Sequence, residues 1–466
     1  MARKVHVIVV PCPAQGHVAP LMKLAHKLAE NGVKVTFFNT EFVHEKIVAA
    51  AGEEAVDQWQ ISLASVPDGL VSDHDRRDRV KLTESVLDTA PGRLQELVEE
   101  INGRSDGEMV SCVIADSSAG WALEVAKRMG IRSAAVALAG VRNLALVLLV
   151  PELIRSGIID SDGIPKKDDE PVYLSNGSFV CTAEELPWCC PGNPSAQRYI
   201  FTRYTLRTVE AIKLADWILA NSFSEIEPLA CDLIPNILQI GPVLSSKSSG
   251  QTTGSFFPED LTSLAWLDTQ PERSVVYAAF GSTTSFSQQQ FEELAHGLEL
   301  AGRPFLWVVG AKLRTGATTT DIEFPDGFIE RVGSRGQVVQ WAAQEKVLAH
   351  SSIRCFFSHC GWNSTLEGLS LGVPFLCWPQ FADQFSNKRY ICETWKVGIE
   401  LVPTPTRPYQ SQIVTRDQIK RRIVELLCDD VIRTNSLGLK EIAKKFVREG
   451  GSSFNNLSRF IELLKE

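Results

Sequence analysis

The chain has 466 residues, of which 44% are hydrophobic and 22% charged, and its 47 Lys and Arg against 56 Asp and Glu give a formal net charge of -9. This length exceeds one ordinary domain and favours two or three, each with a sizeable core. The acidic balance argues against nucleic acid or an anionic membrane surface as the main partner. Eleven cysteines without a paired framework are typical of reduced thiols in a cytoplasmic protein, and that is the location we predict.

The N-terminal stretch "KVHVIVVP" is a β-branched run that predicts a buried strand, and it is too short for the apolar region of a signal peptide. A Pro/Gly turn follows, and then a helical pattern. His17 stands in "PAQGH", directly after the strand, at the sheet edge where parallel α/β sheets bind ligands. A histidine there suits general-base chemistry near neutral pH. His6, inside the strand, and His26, inside the helix, are better interpreted as packing or surface residues.

The strand "CVIAD" ends at Asp116, again at the carboxyl edge of a sheet. A carboxylate in this place could orient the imidazole of a catalytic histidine and stabilise its charged form. The competing interpretation is a helix N-cap for the segment that follows, because Asp favours caps.

Short apolar strands recur along the chain, each with a helical pattern beside it, which predicts doubly wound parallel sheets. The stretch "VLSSKSSGQTTGS" has the composition of a linker. We therefore predict an N-terminal domain at 1–243, a linker at 244–255 and a C-terminal domain at 256–452. Residues 453–466 are expected to form a helix that packs back on the first domain, and ligands are expected in a cleft between the two domains.

The second domain opens like the first, with "SVVYAAF", a Gly-Ser-Thr turn that contains Ser282, and an amphipathic helix. Further on, Trp341 offers a flat face for stacking a base and Gln344 offers an amide for the edge of that base. His359 and the backbone N–H groups of residues 361–364 could surround a phosphate at a helix start.

Acceptors for hydroxyl groups follow in Glu367 and in the Asp383–Gln384 pair. A base, a phosphate and hydroxyls together describe a nucleotide sugar. Each residue also has an ordinary structural interpretation: "STLE" from Ser364 to Glu367 fits a capping box, Trp362 could be a core aromatic, and Asp383 could start a helix. Taken together over one segment, the functional interpretation is favoured.

The segment from Trp341 to Gln384 resembles the signature box of plant secondary-product glycosyltransferases, the family 1 UDP-dependent enzymes. The resemblance rests on "HCGWNS..EG", "GVP", "WP" and the closing "DQ", and it extends to "PCPAQGHVAPLMKLA", "ADWILANSFSEIEP" and "VVYAAFGS". It implies a GT-B type fold of two facing Rossmann-like domains.

The resemblance also implies roles for individual residues. His17 is the general base and Asp116 its orienting carboxylate. Trp341, Ala342 and Gln344 contact uracil, and Glu367 takes the ribose hydroxyls. The other donor-site residues hold the diphosphate (Ser282, His359, Asn363, Ser364) or face the sugar (Trp362, Asp383, Gln384). Gln at the end of the box favours glucose as the sugar.

The implied enzyme is an inverting UDP-glycosyltransferase that gives a β-glucoside of a small lipophilic metabolite such as a phenolic, flavonoid or terpenoid. UDP-glucose is its donor substrate, and we expect no permanent cofactor, no metal, no integral membrane segment and a monomer. Two Asp-x-Asp triplets, at 73–75 and 160–162, are interpreted as loop charges rather than as metal ligands. In the stretch 137–141, many relatives carry a Ser or Thr that touches the sugar, which this chain lacks; Arg142 or Asn143 could substitute.

Three alternatives stay open at this stage. The chain could be a non-catalytic binder of a UDP-sugar on the same scaffold, although His17 and Asp116 are both present. It could transfer another UDP-sugar. It could also be an epimerase or hydrolase on a similar fold, against which the complete tryptophan-led box stands.

Overall fold

The computed structural model describes residues 5–70, 76, 79–104, 108–166, 172–174, 179–245, 254–258, 260–310, 323–402 and 413–466. The chain divides into two compact units. Unit 1 comprises Met1–Pro258 together with Phe446–Glu466, and unit 2 comprises Glu259–Lys445. Most of the predicted linker lies outside the described residues, and the C-terminal boundary falls inside a helix, a few residues before the position we predicted.

Unit 1 is built on a seven-stranded parallel sheet in the order β3-β2-β1-β4-β5-β8-β9, with a separate antiparallel pair, β6-β7. Its strands are His6–Val10 (β1), Lys34–Thr40 (β2), Ile61–Val66 (β3), Val110–Asp116 (β4), Arg132–Ala137 (β5), Val172–Leu174 (β6), Phe179–Cys181 (β7), Trp217–Ala220 (β8) and Leu238–Gln239 (β9). The order reverses direction at the β1–β4 pair, so the crevice beyond the carboxyl ends of these two strands is the expected ligand position for such a sheet.

The helices of unit 1 cover both faces of this sheet. They are Gln15–Glu30 (α1), Glu41–Ala51 (α2), Glu53–Asp57 (α3), Arg79–Asn102 (α4), Gly120–Arg128 (α5), Val141–Leu148 (α6), Val150–Arg155 (α7), Pro194–Tyr199 (α8), Leu206–Ile212 (α9) and Pro228–Cys231 (α10). Short 3-10 turns at Ser117–Ala119 and Ala183–Glu185 and a π-helical segment at Ile200–Thr205 complete the unit.

Unit 2 has a six-stranded parallel sheet in the order β12-β11-β10-β13-β14-β15, which again reverses at one pair, β10–β13. The strands are Val275–Ala279 (β10), Phe305–Val308 (β11), Gly336–Val339 (β12), Ile353–Ser358 (β13), Phe375–Cys377 (β14) and Gly398–Glu400 (β15). The helices are Leu261–Asp268 (α11), Gln288–Leu300 (α12), Phe328–Val332 (α13), Gln344–Leu348 (α14), Trp362–Leu371 (α15), Gln384–Arg389 (α16), Arg416–Cys428 (α17) and Asp430–Val447 (α18). A 3-10 turn at Gly333–Arg335 and a π-helical segment at Tyr390–Thr394 lie between them.

The last helix, Ser452–Lys465 (α19), belongs to unit 1. Phe460 is fully buried, and its ring packs edge-on against Trp217 of β8, with the ring centroids 5.6 Å apart. Arg132 donates to the carbonyl oxygens of Leu463 and Leu464, at 2.9 and 3.1 Å, and so binds the carbonyl end of the helix, where a cation is favourable.

The strands are buried on both faces, as sheets covered by helices on both sides require. All five residues of β1 and all five of β10 are buried. The predicted fold class, two Rossmann-like α/β domains, is confirmed. Among the described residues, no helix is both long and apolar enough to span a bilayer.

Candidate active site

His17 and Asp116 meet at the point where the sheet of unit 1 reverses its strand order. His17 lies in the first turn of α1, just after β1, and Asp116 is the last residue of β4, the neighbouring parallel strand. The His17 Nδ1 and the Asp116 Oδ2 are 2.6 Å apart. Because a carboxylate only accepts hydrogen bonds, Nδ1 carries the proton and the lone pair of the neutral ring lies on Nε2. The His17 side chain is 35% exposed, so substrate can reach it, whereas that of Asp116 is 1% exposed.

The carboxylate of Asp116 is fixed from both sides. Its Oδ2 also accepts from the backbone N–H of Cys12 at 3.4 Å, and its Oδ1 accepts from Ser118 N at 2.7 Å. Burial raises the pKa of this carboxyl, but the charge of His17 and these hydrogen bonds outweigh burial, and the net pKa is lowered. Asp116 therefore caps the 3-10 turn after β4 and forms a hydrogen bond with His17 at the same time.

The two histidines near the first strand have structural partners instead. His6 is buried, and its Nε2 lies 2.8 Å from Thr36 Oγ1 on the neighbouring strand. The His26 ring packs edge-on against Trp59, with the ring centroids 5.2 Å apart, and burial lowers the pKa of His26.

A cavity opens beside the dyad in unit 1, with a volume of about 480 Å³ including its part open to solvent. It borders the backbone that holds Asp116, through Cys12 and Ser118, and its apolar wall includes Trp121 and Leu87. A second cavity of about 280 Å³, lined mostly by apolar residues, shares Pro13, Val86 and Trp121 with the first.

Trp188 and Arg142 of unit 1 line neither cavity. Trp188 is fully buried in the core, where its Nε1 donates to the Gly163 carbonyl at 2.7 Å, so it does not line either cavity. Arg142 is also buried, and its guanidinium donates to Glu185 at 3.2 Å.

In unit 2, His359 follows β13 and Gly281 follows β10, the strand pair at which this sheet reverses. The imidazole lies between two glycines: a Cβ added at Gly281 or at Gly361 would come 2.6 Å from His359 Nε2. Gly281 also has a φ of +73°, which favours glycine. Burial lowers the pKa of His359 to about 4, against a smaller opposing effect of a backbone hydrogen bond with Ala279. The ring is therefore neutral at pH 7.

Helix α15 begins directly beside this histidine. Its N-cap is Gly361, no side chain caps it, and Trp362, Asn363 and Ser364 form its first turn, with Ser282 half-buried next to Gly281. The first N–H groups of a helix have no partner within it and favour an anion. The alternative of a capping box at Ser364–Glu367 is wrong, because the helix begins two residues before Ser364.

The Gln344 side chain forms hydrogen bonds with two predicted site residues, Glu367 and Ser364, and with Tyr277, which was not predicted. Its Nε2 donates to Glu367 Oε2 at 2.7 Å and to Ser364 Oγ at 2.9 Å, and its Oε1 accepts from the hydroxyl of Tyr277 at 3.2 Å. Tyr277 was not identified from the sequence, since an aromatic residue in a buried strand gives no signal beyond packing. The predicted stacking residue Trp341 is half-buried after β12, and Ala342 beside it is buried.

Asp383 and Gln384 lie at the start of α16. Gln384 is buried, and its Oε1 accepts from the backbone N–H groups of Gln380 and Phe381 at 2.8 and 3.3 Å. The Asn387 amide donates to Asp383 Oδ2 at 2.8 Å and to the Cys360 carbonyl at 2.9 Å, and so ties this segment to the loop before α15. Asn387 was missed because its spacing from Asp383 shows a shared helix face but not the distant carbonyl.

The two Asp-x-Asp triplets have different outcomes. The triplet at 73–75 lies outside the described residues. In the other triplet, Asp160 Oδ1 accepts from the backbone of Asp162 and Ile164, both at 2.9 Å, as a turn residue does. Within the described part of the chain, no group of three or more His, Cys, Asp or Glu residues could hold a metal ion.

Two family models match the chain. The family described as "UDP-glucoronosyl and UDP-glucosyl transferase" matches residues 207–445, and "Glycosyltransferase, N-terminal domain" matches residues 3–61. The two matches contain the predicted donor-site residues and His17, respectively.

Individual proteins are similar over nearly the whole chain. UDP-glycosyltransferase 83A1 of Arabidopsis thaliana is 42% identical over 99% of this chain and 97% of its own length. The (R)-mandelonitrile beta-glucosyltransferase of Prunus dulcis is 33% identical over 98% of this chain and 96% of its own. The crystal structure of Os79 from O. sativa in complex with UDP has a TM-score of 0.80 at 25% identity, covering 98% of this chain and 100% of the other.

Proposed function

Because this chain belongs to the UDP-glycosyltransferases of plants and has their GT-B type fold, we propose that it transfers glucose from UDP-glucose to a hydroxyl of a small lipophilic metabolite, forming a β-glucoside. The observation that carries this proposal is the hydrogen bond of 2.6 Å between His17 Nδ1 and Asp116 Oδ2 at the edge of the sheet of unit 1. The proposal for glucose is supported by the similarity to the beta-glucosyltransferase of Prunus dulcis and by Gln384 at the end of the signature box.

In the proposed reaction, the acceptor lies in unit 1 with its hydroxyl at His17 Nε2. The hydroxyl oxygen forms a bond to the anomeric carbon of the sugar while the bond from that carbon to the phosphate oxygen breaks. The electron pair of the broken bond leaves with UDP, and the hydroxyl proton passes to Nε2. Attack from the face opposite the leaving group converts an α-linked donor into a β-product. Asp116 stabilises the resulting imidazolium and keeps the ring in the orientation that the transfer needs.

The donor would be held by unit 2. We propose that Trp341, Ala342 and Gln344 form the uracil side, that Glu367 accepts from the ribose, and that Trp362, Asp383 and Gln384 face the sugar. Ser282, His359, Asn363, Ser364 and the N-terminus of α15 would bind the diphosphate, and no metal ion is needed in this scheme. Since the pKa of His359 is about 4, this residue would contribute a neutral N–H donor rather than a positive charge.

We also propose a cytoplasmic monomer. None of the eleven cysteines, all of which lie in the described residues, forms a disulfide, which suits a reducing compartment. Light scattering of the purified protein would test the monomer, and a fluorescent fusion in plant cells would test the compartment.

The main experiment incubates the purified protein with UDP-glucose, UDP-galactose or UDP-glucuronic acid and a panel of phenols and alcohols. Mass spectrometry should show the addition of one hexose, and the proton NMR coupling of the product should show a β-linkage. Binding of UDP without transfer to any acceptor would contradict the proposed activity. Transfer only from another UDP-sugar would contradict the donor.

A further inference from the structure

The charged residues that line the cavity near the dyad are all positive. Among its described lining residues the only charged ones are two arginines, Arg203 and Arg207, and no carboxylate lines it. The chain as a whole is acidic, with a net charge of -9, so this local excess of positive charge runs against its composition.

The two arginines are one helical turn apart, on the π-helical segment and on α9, which places like charges on neighbouring positions of one face. Arg203 lies 3.7 Å from Glu84, and both side chains are about half exposed, so this pair is weak. Arg207 is exposed, as Arg203 is. The ion pair of Arg203 with the exposed Glu84 leaves the positive charge at this end of the cavity largely uncompensated by its lining.

The helix that carries Arg207 is fixed to the segment that follows Asp116. Thr208 Oγ1 donates to the Ser117 carbonyl at 3.2 Å. On the next turn, Ala211 packs so closely on Gly120 that a Cβ added to Gly120 would lie 2.4 Å from the Ala211 Cβ. These contacts fix the backbone of α9 relative to the segment that follows Asp116.

The rest of the lining suits an amphipathic ring compound. Trp121, Val86 and Leu87 supply apolar surface, and Thr83 and Tyr204, which hydrogen-bond to each other, supply hydroxyl groups. The cavity thus combines an apolar wall, two hydroxyl groups and two arginines, on α9 and on the π-helical segment before it, and it borders Cys12 and Ser118, whose backbone N–H groups bind Asp116.

We propose that the acceptor carries a carboxylate in addition to the hydroxyl that receives the sugar, and that Arg203 and Arg207 bind this carboxylate. The inference rests on the proposed function, and it narrows the acceptor to hydroxy acids such as hydroxycinnamates. Guanidinium groups match the geometry of a carboxylate and form charge-assisted hydrogen bonds with it.

The test uses matched acceptors that differ only in charge: a hydroxycinnamic acid and its methyl ester, and a hydroxybenzoic acid and its methyl ester. With UDP-glucose as donor, the acid of each pair should show a kcat/KM at least about tenfold higher, as expected for one or more charge-assisted bonds. The preference should fall as NaCl is raised from 20 to 500 mM, because exposed charges are screened.

Variants then assign the preference to the arginines. Arg207→Gln and Arg203→Gln should each raise KM for the acid several-fold and leave kcat nearly unchanged, because the lost contact is present in the ground state and in the transition state alike. Both variants should leave the ester unaffected. Arg198→Gln is the matched control, since Arg198 lies on α8 just before, pairs with Asp162 at 2.7 Å and does not line the cavity.

Three outcomes would contradict the inference while leaving the proposed function intact: equal efficiency on acid and ester, a preference for the ester, or a sugar attached to the carboxylate itself. An acid preference that survives in the Arg203→Gln/Arg207→Gln double variant would also contradict it. Absence of transfer to every acid, every ester and every neutral acceptor would instead contradict the proposed function.

Discussion

Gln344 and Glu367 are joined by a hydrogen bond of 2.7 Å from the amide Nε2 to the carboxylate Oε2. Because a carboxylate only accepts hydrogen bonds, the N–H end of the Gln344 amide must face Glu367, where it also reaches Ser364, and the amide oxygen accepts from the Tyr277 hydroxyl. Glu367, which the family resemblance assigns to the ribose, is thus positioned by a second side chain of the same site.

Replacing Gln344 should therefore weaken donor binding through Glu367. Gln344→Glu sets a second carboxylate against Glu367 and should raise the Kd of UDP more than Gln344→Ala, by about tenfold or more against a few-fold for alanine. Calorimetric titration with UDP measures both. Gln270→Glu, which adds the same charge on the surface of unit 2, is the control. Equal affinity of Gln344→Glu and the native protein would contradict the positioning role.

The second prediction concerns the dyad. His17→Ala should lower kcat by about 10²–10⁴ because general-base catalysis is lost, while UDP still binds with native affinity. Asp116→Asn keeps the shape but cannot stabilise an imidazolium, and it should also be strongly impaired. The double variant should be little worse than His17→Ala alone, since both residues act on one proton transfer. Near-native turnover of His17→Ala would refute the assignment, and additive losses would show that the two residues act separately.

The sequence was sufficient to predict which residues lie together at the carboxyl ends of neighbouring strands. The carboxyl ends of β1 and β4 lie side by side, and so do those of β10 and β13, because parallel strands with apolar runs can be recognised and their edges carry the polar residues. The contact of His17 with Asp116 follows from that arrangement.

What the sequence could not supply are contacts between segments whose relative position is set by packing. The bond of Asn387 to the Cys360 carbonyl, the Tyr277 hydroxyl on Gln344 and the burial of Trp188 are of this kind. The capping box at Ser364, an alternative that was not favoured, fails for a different reason. Its residue pattern was valid, but the helix start depends on the backbone of Cys360, which has a φ of +65°, and side-chain patterns do not reveal backbone angles.

The third prediction tests the two glycines around His359. Gly281→Ala should displace the imidazole, because the new Cβ would lie 2.6 Å from Nε2, and it should weaken UDP binding by about tenfold or more. Alanine at a positive φ is strained in any case, so the control must carry the same strain. Gly302 has a φ of +66° and nothing within 4 Å of an added Cβ. Gly302→Ala should lose comparable stability and keep native affinity for UDP. Loss of UDP affinity in both variants would show a general effect of strain.

The fourth prediction concerns Gln384 and the choice of donor. Its carbonyl oxygen is used by the backbone of Gln380 and Phe381, so only the amide N–H end is available to read a sugar. Gln384→Glu keeps an acceptor for the backbone but removes those donors, and Gln384→His leaves a single acceptor nitrogen for the two backbone N–H groups. Both should lower kcat/KM for UDP-glucose several-fold, with Gln384→His also lowering the melting temperature. An unchanged ratio of UDP-glucose to UDP-galactose use in Gln384→Glu would show that this amide does not discriminate between the sugars.

The last prediction concerns stability at acid pH. His359 has a pKa of about 4 in the folded protein, lowered by burial, against 6.5 for the ordinary side chain. Between these values the unfolded chain binds a proton that the folded chain does not, so the free energy of unfolding should fall as pH is lowered from 6.5 to 4, by about 3 kcal/mol from this residue alone. Above pH 6.5 the contribution is constant.

Urea unfolding of unit 2, followed by tryptophan fluorescence at several pH values, measures the slope of the free energy of unfolding against pH. His359→Asn, which cannot titrate, should show a shallower slope over this range. Equal slopes in the native protein and His359→Asn would mean that the imidazole is charged or solvated in the folded state, and its place as a neutral donor to the diphosphate would then have to be abandoned.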